Sequence, residues 1–180
     1  MNLLPLPRDA AIFTNSDEVE RRYLRELEVF LKEETGYQWI QGTRPQTLAF
    51  ALADSPAGLA AWFVEKYRAW TDCDGDPRNA LTMDEMLGNI SLYWFTNCIG
   101  ASFWPYYARM HGPWPIEGRI DVPTGYTEFP REILRPPRVS AERVFNIQRW
   151  TVMPKGGHFA ALEQPGPLAE EIRAFFRALR

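Results

Sequence analysis

The sequence is poor in the residues that staple or metallate small proteins. Its 180 residues hold two cysteines, Cys73 and Cys98, and two histidines, His111 and His158. Two cysteines without CxxC spacing exclude a disulfide scaffold and a zinc ribbon, and read as a loop thiol at Cys73 and a buried thiol at Cys98. No cluster with metal-ligand spacing and no Gly-rich phosphate loop is visible. An excess of one charge is lacking as well: 20 Lys and Arg stand against 23 Asp and Glu, a net charge of −3. The two signs are interspersed, which removes any general attraction to nucleic acid or to an anionic membrane surface. The opening Met1-Asn2-Leu3-Leu4-Pro5-Leu6-Pro7-Arg8 has no basic head, and two prolines break its short apolar run. It reads as neither a signal peptide nor a spanning helix, so a soluble, cytoplasmic protein is expected. A G-x-S/D/C-x-G nucleophile turn after an apolar strand is also missing; Asp74-Gly75-Asp76 imitates it only in a polar context.

What is present is apolar and aromatic, 46% and 14% of residues, enough for one ordinary globular domain. Val19, Tyr23, Leu24, Leu27, Phe30 and Leu31 repeat at helical spacing over Asp17 to Lys32, with Asn15 and Glu18 as a capping box. Gly36, Gly42 and Pro45 punctuate an aromatic stretch that leads to a short helix over Gln46 to Ala53. Ser55-Pro56 opens a helix to Trp70, and Thr71 to Ala80 is a polar loop. Thr82-Met83-Asp84-Glu85 caps a further helix whose apolar residues cover most of its circumference, so it is expected to be buried. From Ser102 to Pro115 the density of Phe103, Trp104, Tyr106, Tyr107 and Trp114 with prolines suits an irregular wall around an apolar cavity.

After Gly118 the character changes. Arg119-Ile120-Asp121-Val122-Pro123 reads as a strand, Val144 to Met153 contains a second, and Leu168 to Leu179 is an amphipathic helix. Two strands cannot make an independently stable sheet. His158, in Lys155-Gly156-Gly157-His158-Phe159, follows the second strand and suits a general base; the alternative is a loop histidine bonding its own turn. Glu132, in Phe129-Pro130-Arg131-Glu132-Ile133, follows the first strand. If the strands are neighbours, this carboxylate can orient the imidazole; otherwise a surface ion pair with Arg131 or Arg135 is the simpler reading. His111 lacks a preceding strand and reads as structural, and Tyr37 and Tyr106 read as packed phenols.

Four ordered blocks change that balance: Gly36-Tyr37-Gln38-Trp39-Ile40-Gln41-Gly42-Thr43-Arg44-Pro45-Gln46-Thr47; Asp54-Ser55-Pro56-Ala57-Gly58-Leu59-Ala60-Ala61-Trp62 with Glu65-Lys66; Val122-Pro123-Thr124-Gly125; and Gly156-Gly157-His158-Phe159-Ala160-Ala161-Leu162-Glu163-Gln164-Pro165. Together they resemble the C-terminal half of an epoxide hydrolase of the α/β-hydrolase fold, the microsomal and juvenile-hormone type with its bacterial relatives. The resemblance runs from about Gly36 to about Phe176. It implies an α/β fold that is mostly helical by content, a partial α/β-hydrolase: a helical lid over residues 1–117, then the last two core strands and C-terminal helix over residues 118–180. It also implies His158 as the base that activates water, Glu132 as the acid that orients it, and Tyr37 and Tyr106 as lid phenols that protonate the epoxide oxygen, with Tyr107 a near competitor. Trp39, Trp104 and Tyr107 become substrate-binding aromatics.

The implied chemistry opens an epoxide to a vicinal diol through an aspartyl ester, with no cofactor. Family members carry the nucleophilic aspartate and an HGxP oxyanion loop before the lid, so by this resemblance the sequence starts after both and little turnover by the chain alone is expected. The implied partners are a small apolar epoxide and, through the apolar faces of Ile120, Val122, Ile147, Trp150 and Val152, a complementary N-terminal half or a second copy. The competing expectation is a degenerate, non-enzymatic protein that binds small apolar ligands or a partner protein.

Overall fold

The structure is a computed structural model that describes residues 17–112 and 118–179. The expected cap residue Asn15, and Trp114 of the aromatic stretch, lie outside the described residues. Two compact units are formed: one from residues 17–30, Trp70–Asp72 and residues 118–179, the other from residues 31–69 and 73–112.

The second unit is helical. After α1 (Glu18–Glu33), which begins in the first unit, come α2 (Gly36–Thr43), α3 (Pro45–Asp54), α4 (Pro56–Trp70), α5 (Met83–Thr96) and α6 (Trp104–His111). Proline in the first turn starts three of these, α3, α4 and α6, where its fixed φ fits and its missing N–H goes unneeded. Ser55 Oγ accepts the Gly58 N–H at 3.0 Å, and Thr82 and Glu85 form the reciprocal box read from the sequence. Leu52, Leu59, Ile90, Ile99 and Phe103 make the core, flanked by half-buried Trp62, Phe63 and Tyr93.

Four expectations are corrected here. Gly36–Thr43 is a helix in its own right, and Ala101–His111 is a 3-10 turn running into α6, so the aromatic segment is regular as far as it is described. Helix α5 buries Met86 and Ile90 but leaves Leu92 and Phe95 exposed, Phe95 at 82%. The thiols are reversed: Cys73 is the buried one, its Sγ donating to the Arg68 carbonyl, and Cys98 is only partly buried. Loop position does not decide burial when the loop folds back on a helix end.

The first unit holds the sheet. Asp17 Oδ1 accepts the Glu20 N–H at 2.7 Å and so caps α1. β1 (Ile120–Glu128) and β2 (Phe145–Val152) pair in parallel, with Tyr126 opposite Trp150 and Glu128 opposite Val152. β1 runs five residues past the expected end at Pro123, because that proline falls at a register shift where no ladder N–H is needed. α7 (Arg138–Val144), a helix with no sequence signal of its own, leads directly into β2. Its Ala141 and Val144 pack with Tyr126, Phe145 and Trp150 on one sheet face. After α8 (Ala160–Glu163), α9 (Pro165–Arg177) covers the other: Phe175 sits so close to Gly125 that a Cβ there would lie 2.8 Å from its ring. Arg149 grips the Glu171 carboxylate through two bonds of 2.7 and 2.9 Å. Of the strand residues expected to lack cover, Ile120, Ile147 and Trp150 are packed, whereas Val122 and Val152 are each 68% exposed. Among the described residues, no single helix is long and apolar enough to cross a membrane.

Candidate functional site

Parallel pairing puts the carboxyl ends of β1 and β2 side by side, so the loops that follow them meet. The loop after β1 turns on Phe129, which is fully buried and whose carbonyl accepts the Glu132 N–H at 3.2 Å. The loop after β2 needs both of its glycines. Gly156 has φ +110°, a region L side chains rarely adopt, and a Cβ there would also stand 2.8 Å from the Phe129 ring. At Gly157 the obstacle is backbone: a Cβ would come within 2.6 Å of the Trp70 carbonyl oxygen. The Arg131 N–H then donates to the Gly156 carbonyl at 3.1 Å, and the His158 N–H to the Trp70 carbonyl at 2.8 Å.

These constraints bring His158 Nδ1 to 2.6 Å from Glu132 Oε1. The Glu132 side chain is fully buried, while the His158 side chain keeps 24% of its exposure. The same Oε1 accepts the Ile133 N–H at 2.8 Å, so the carboxylate is fixed from a second direction. The ion-pair alternative for Glu132 recedes, since Arg135 donates to Glu26 at 2.7 Å. The Trp70 ring stands edge-on to the imidazole with centroids 5.4 Å apart. With Nδ1 committed to a carboxylate, Nε2 is the ring nitrogen left available for proton transfer.

The helical unit holds a second pair. Tyr37 of α2 and Tyr106 of α6 meet edge to face, centroids 5.7 Å apart and planes at 78°. Gly42 faces α6, and a Cβ there would lie 2.7 Å from Met110 Cε, the far end of a flexible side chain. Burial pushes the Tyr37 phenol up to about 12, against the opposing effect of the Gln38 side chain, whose Nε2 donates to the phenol oxygen at 2.9 Å. Burial likewise raises Tyr106, with Arg109 pulling the other way. Both phenols therefore hold their protons at neutral pH. Lys66 Nζ sits 4.7 Å from the Tyr37 ring centroid.

The remaining aromatics divide. Trp39 and Trp104 are 58% and 57% exposed, and Trp104 stands edge-on to Tyr107. Tyr107 stacks on His111 at 4.0 Å, and His111 Nδ1 lies 2.9 Å from the Tyr107 carbonyl, the structural reading of that histidine. Three residues around the histidine loop, Trp70, Asp72 and Glu163, escaped the sequence reading. Glu163 lies within the block that carries His158, but nothing in the polar stretch around Asp72 marks it. Among the described residues, no group of three or more His, Cys, Asp or Glu is placed to hold a metal ion.

No family model matches the chain. Individual proteins do. A protein of Stigmatella aurantiaca described as a putative epoxide hydrolase is 45% identical over 168 residues, 93% of this chain but 38% of that protein. Epoxide hydrolase 1 of Sus scrofa is 37% identical over 83% of this chain and 35% of its own length, and juvenile hormone epoxide hydrolase 2 of Ctenocephalides felis 39% over 89% and 37%. Among solved structures, an enantioselective mutant of the Aspergillus niger epoxide hydrolase superposes with a TM-score of 0.82 at 29% identity, covering 98% of this chain and 44% of that one. The juvenile hormone epoxide hydrolase of Bombyx mori gives 0.79 at 27% identity, over 95% and 45%. The chain thus spans between a third and a half of the proteins it matches.

Proposed function

Because the chain corresponds to part of an epoxide hydrolase of the microsomal and juvenile-hormone type, with a partial α/β-hydrolase fold, we propose that it supplies the base, the orienting acid and the lid phenols for hydrolysis of a small apolar epoxide to a vicinal diol. The observation that carries the reading is the 2.6 Å contact between His158 Nδ1 and the buried Glu132 carboxylate, at the adjacent ends of two parallel strands. In the proposed sequence a carboxylate attacks one oxirane carbon and the carbon–oxygen bond breaks. Tyr37 and Tyr106 hydrogen-bond the oxygen, and one of them gives it a proton. His158 Nε2 then takes a proton from water as the hydroxide adds to the ester carbonyl. The adduct's hydroxyl proton passes to the departing diol oxygen as the carboxylate is restored, and the imidazolium proton returns by way of solvent to the tyrosinate. Protonated phenols suit the first half of this sequence, and a histidine tied to a carboxylate suits the second. The attacking carboxylate and the oxyanion donors are assigned to the portion of the relatives that this chain does not span. That portion, whether on the same or on another polypeptide, is the proposed partner, with β1, which is paired only with β2 among the described residues, as the strand it would extend.

The exposed Trp39, Phe50, Phe95 and Trp104 favour a second reading, a non-catalytic chain that binds apolar ligands or a partner protein. Hydrolysis of an aryl epoxide, measured for the chain alone and mixed with the missing portion of a relative, separates the two. Turnover on mixing that vanishes with His158→Ala supports the enzyme part. Apolar-ligand binding indifferent to His158→Ala and Glu132→Gln, with no turnover in either preparation, supports the second reading.

A further inference from the structure

Two carboxylates outside the proposed machinery converge on the backbone of the histidine loop. Glu163 of α8 accepts the Phe159 N–H on Oε1 at 3.1 Å and the Asp72 N–H on Oε2 at 2.8 Å. Asp72 in turn accepts the Gly156 N–H on Oδ2 at 3.0 Å, and its Oδ1 lies 3.6 Å from Arg131 Nε, one residue before Glu132. Between these anchors the Trp70 carbonyl takes the His158 N–H at 2.8 Å. The amides of Gly156, His158 and Phe159 are thereby each tied to the Trp70–Asp72 segment or to Glu163. Gly157 lets that segment approach, since a Cβ there would lie only 2.6 Å from the Trp70 carbonyl oxygen. Burial pushes the Glu163 carboxyl up, against the N–H groups of Asp72, Gly157 and Phe159, and Asp72 adds a smaller repulsion. An apolar residue would avoid that cost; here the two carboxylate oxygens each take an amide from a separate segment of the chain.

We propose that Asp72 and Glu163 are positioning residues that lock the backbone on either side of His158 and so hold its imidazole at hydrogen-bonding distance from Glu132. The proposal rests on the reading of His158 and Glu132 as base and orienting acid. A displacement of about 1 Å at the loop is enough to break a 2.6 Å contact of this kind.

The test uses the 180-residue chain labelled with nitrogen-15. It reads amide hydrogen exchange at Asp72, Gly156, His158 and Phe159, and the low-field His158 Nδ1 proton shared with Glu132. Glu163→Gln keeps one acceptor oxygen and loses the other, and is expected to speed exchange at Phe159 or Asp72 at least about tenfold and to broaden the His158 signal. Asp72→Asn keeps an acceptor for Gly156 but removes the charge facing Arg131, so a smaller change confined to Gly156 and His158 is expected. Glu170→Gln, on the exposed pair with Arg173, serves as the control and moves neither reading. Wild-type exchange rates and an unchanged His158 signal in both Glu163→Gln and Asp72→Asn overturn the proposal. Should Glu163→Gln not fold, Asp72→Asn decides alone by the same two readings. The underlying pair is judged separately by Glu132→Gln. It removes the His158 signal if the pair exists, and a wild-type chain without that signal refutes the pair while the amide rates still report on the brace.

Discussion

The two units fix their candidate functional groups by different means. In the sheet-bearing unit Glu132 and His158 stand on loops, and what immobilises them is backbone: glycines at a positive φ and at a close approach, and amides tied to carbonyl and carboxylate oxygens. In the helical unit Tyr37 and Tyr106 stand on helices, and packing holds them, ring edge against ring face with Met110 filling the space above Gly42. The contrast follows from the jobs proposed for them. A charge-stabilising pair fails when its short contact opens, so its loops must be rigid. A phenol that donates one proton tolerates small displacement, and a helix surface is sufficient.

The sharpest way to break this comparison is kinetic. In a preparation that hydrolyses an aryl epoxide, His158→Ala or Glu132→Gln is expected to cost about 10³–10⁴-fold in turnover, whereas Tyr37→Phe or Tyr106→Phe alone costs about 10²-fold because the partner phenol remains. Equal losses in single-turnover rates would remove the distinction. The next largest effects are on stability: Phe129→Ala beneath the loops that carry Glu132 and His158 and Phe103→Ala in the helical core each bury less apolar surface and leave a cavity, at about 3–5 kcal/mol by denaturant titration. Phe129→Ala should also disturb the His158 environment, and Phe103→Ala should not.

Glycines give a prediction of opposite signs. Gly157→Ala drives a methyl into backbone and is expected to destabilise by about 1–3 kcal/mol. Gly36→Ala at the start of α2 meets nothing within 4 Å and is expected to stabilise by about 0.4–1 kcal/mol through the unfolded chain. Thermal melts of the two variants moving in the same direction would contradict the assignment of backbone constraint to the first unit alone. The smallest effect is a pH slope. The Arg149 bond, helped by Thr151 and opposed by burial, holds Glu171 below its ordinary value of 4.5. Its contribution to stability is therefore present above pH 4.5 and lost as pH falls through the lowered value. Glu171→Gln should flatten that part of the stability curve and leave the neutral region little changed.

Much of this was legible in the chain itself. Proline after Ser55, the Thr82 and Glu85 box and the apolar repeat from Val19 to Leu31 each placed a helix, because caps and periodicity act over a few residues. The second strand and the Gly156-Gly157-His158 turn were visible for the same reason. Local rules failed where distant contacts decided. Pro123 reads as a stop but lies at a bulge of β1, α7 has no amphipathic stripe long enough to notice, and the exposed Leu92 and Phe95 show that an apolar circumference does not guarantee burial.

The sequence by itself determined the helix starts, the histidine turn and, through four ordered blocks, the kinship with epoxide hydrolases. The sequence raised the pairing of Glu132 with His158 only on the condition that the strands are neighbours or by resemblance, and the tertiary structure met that condition by making β1 and β2 parallel neighbours although 26 residues separate the two side chains in the chain. The tertiary structure alone assigned Asp72 and Glu163, 91 residues apart, to the two sides of one loop. Hydrogen bonds between segments so distant leave no periodicity, cap or spacing behind, because geometry at that separation is set by the packing of the whole unit and not by any neighbouring residue.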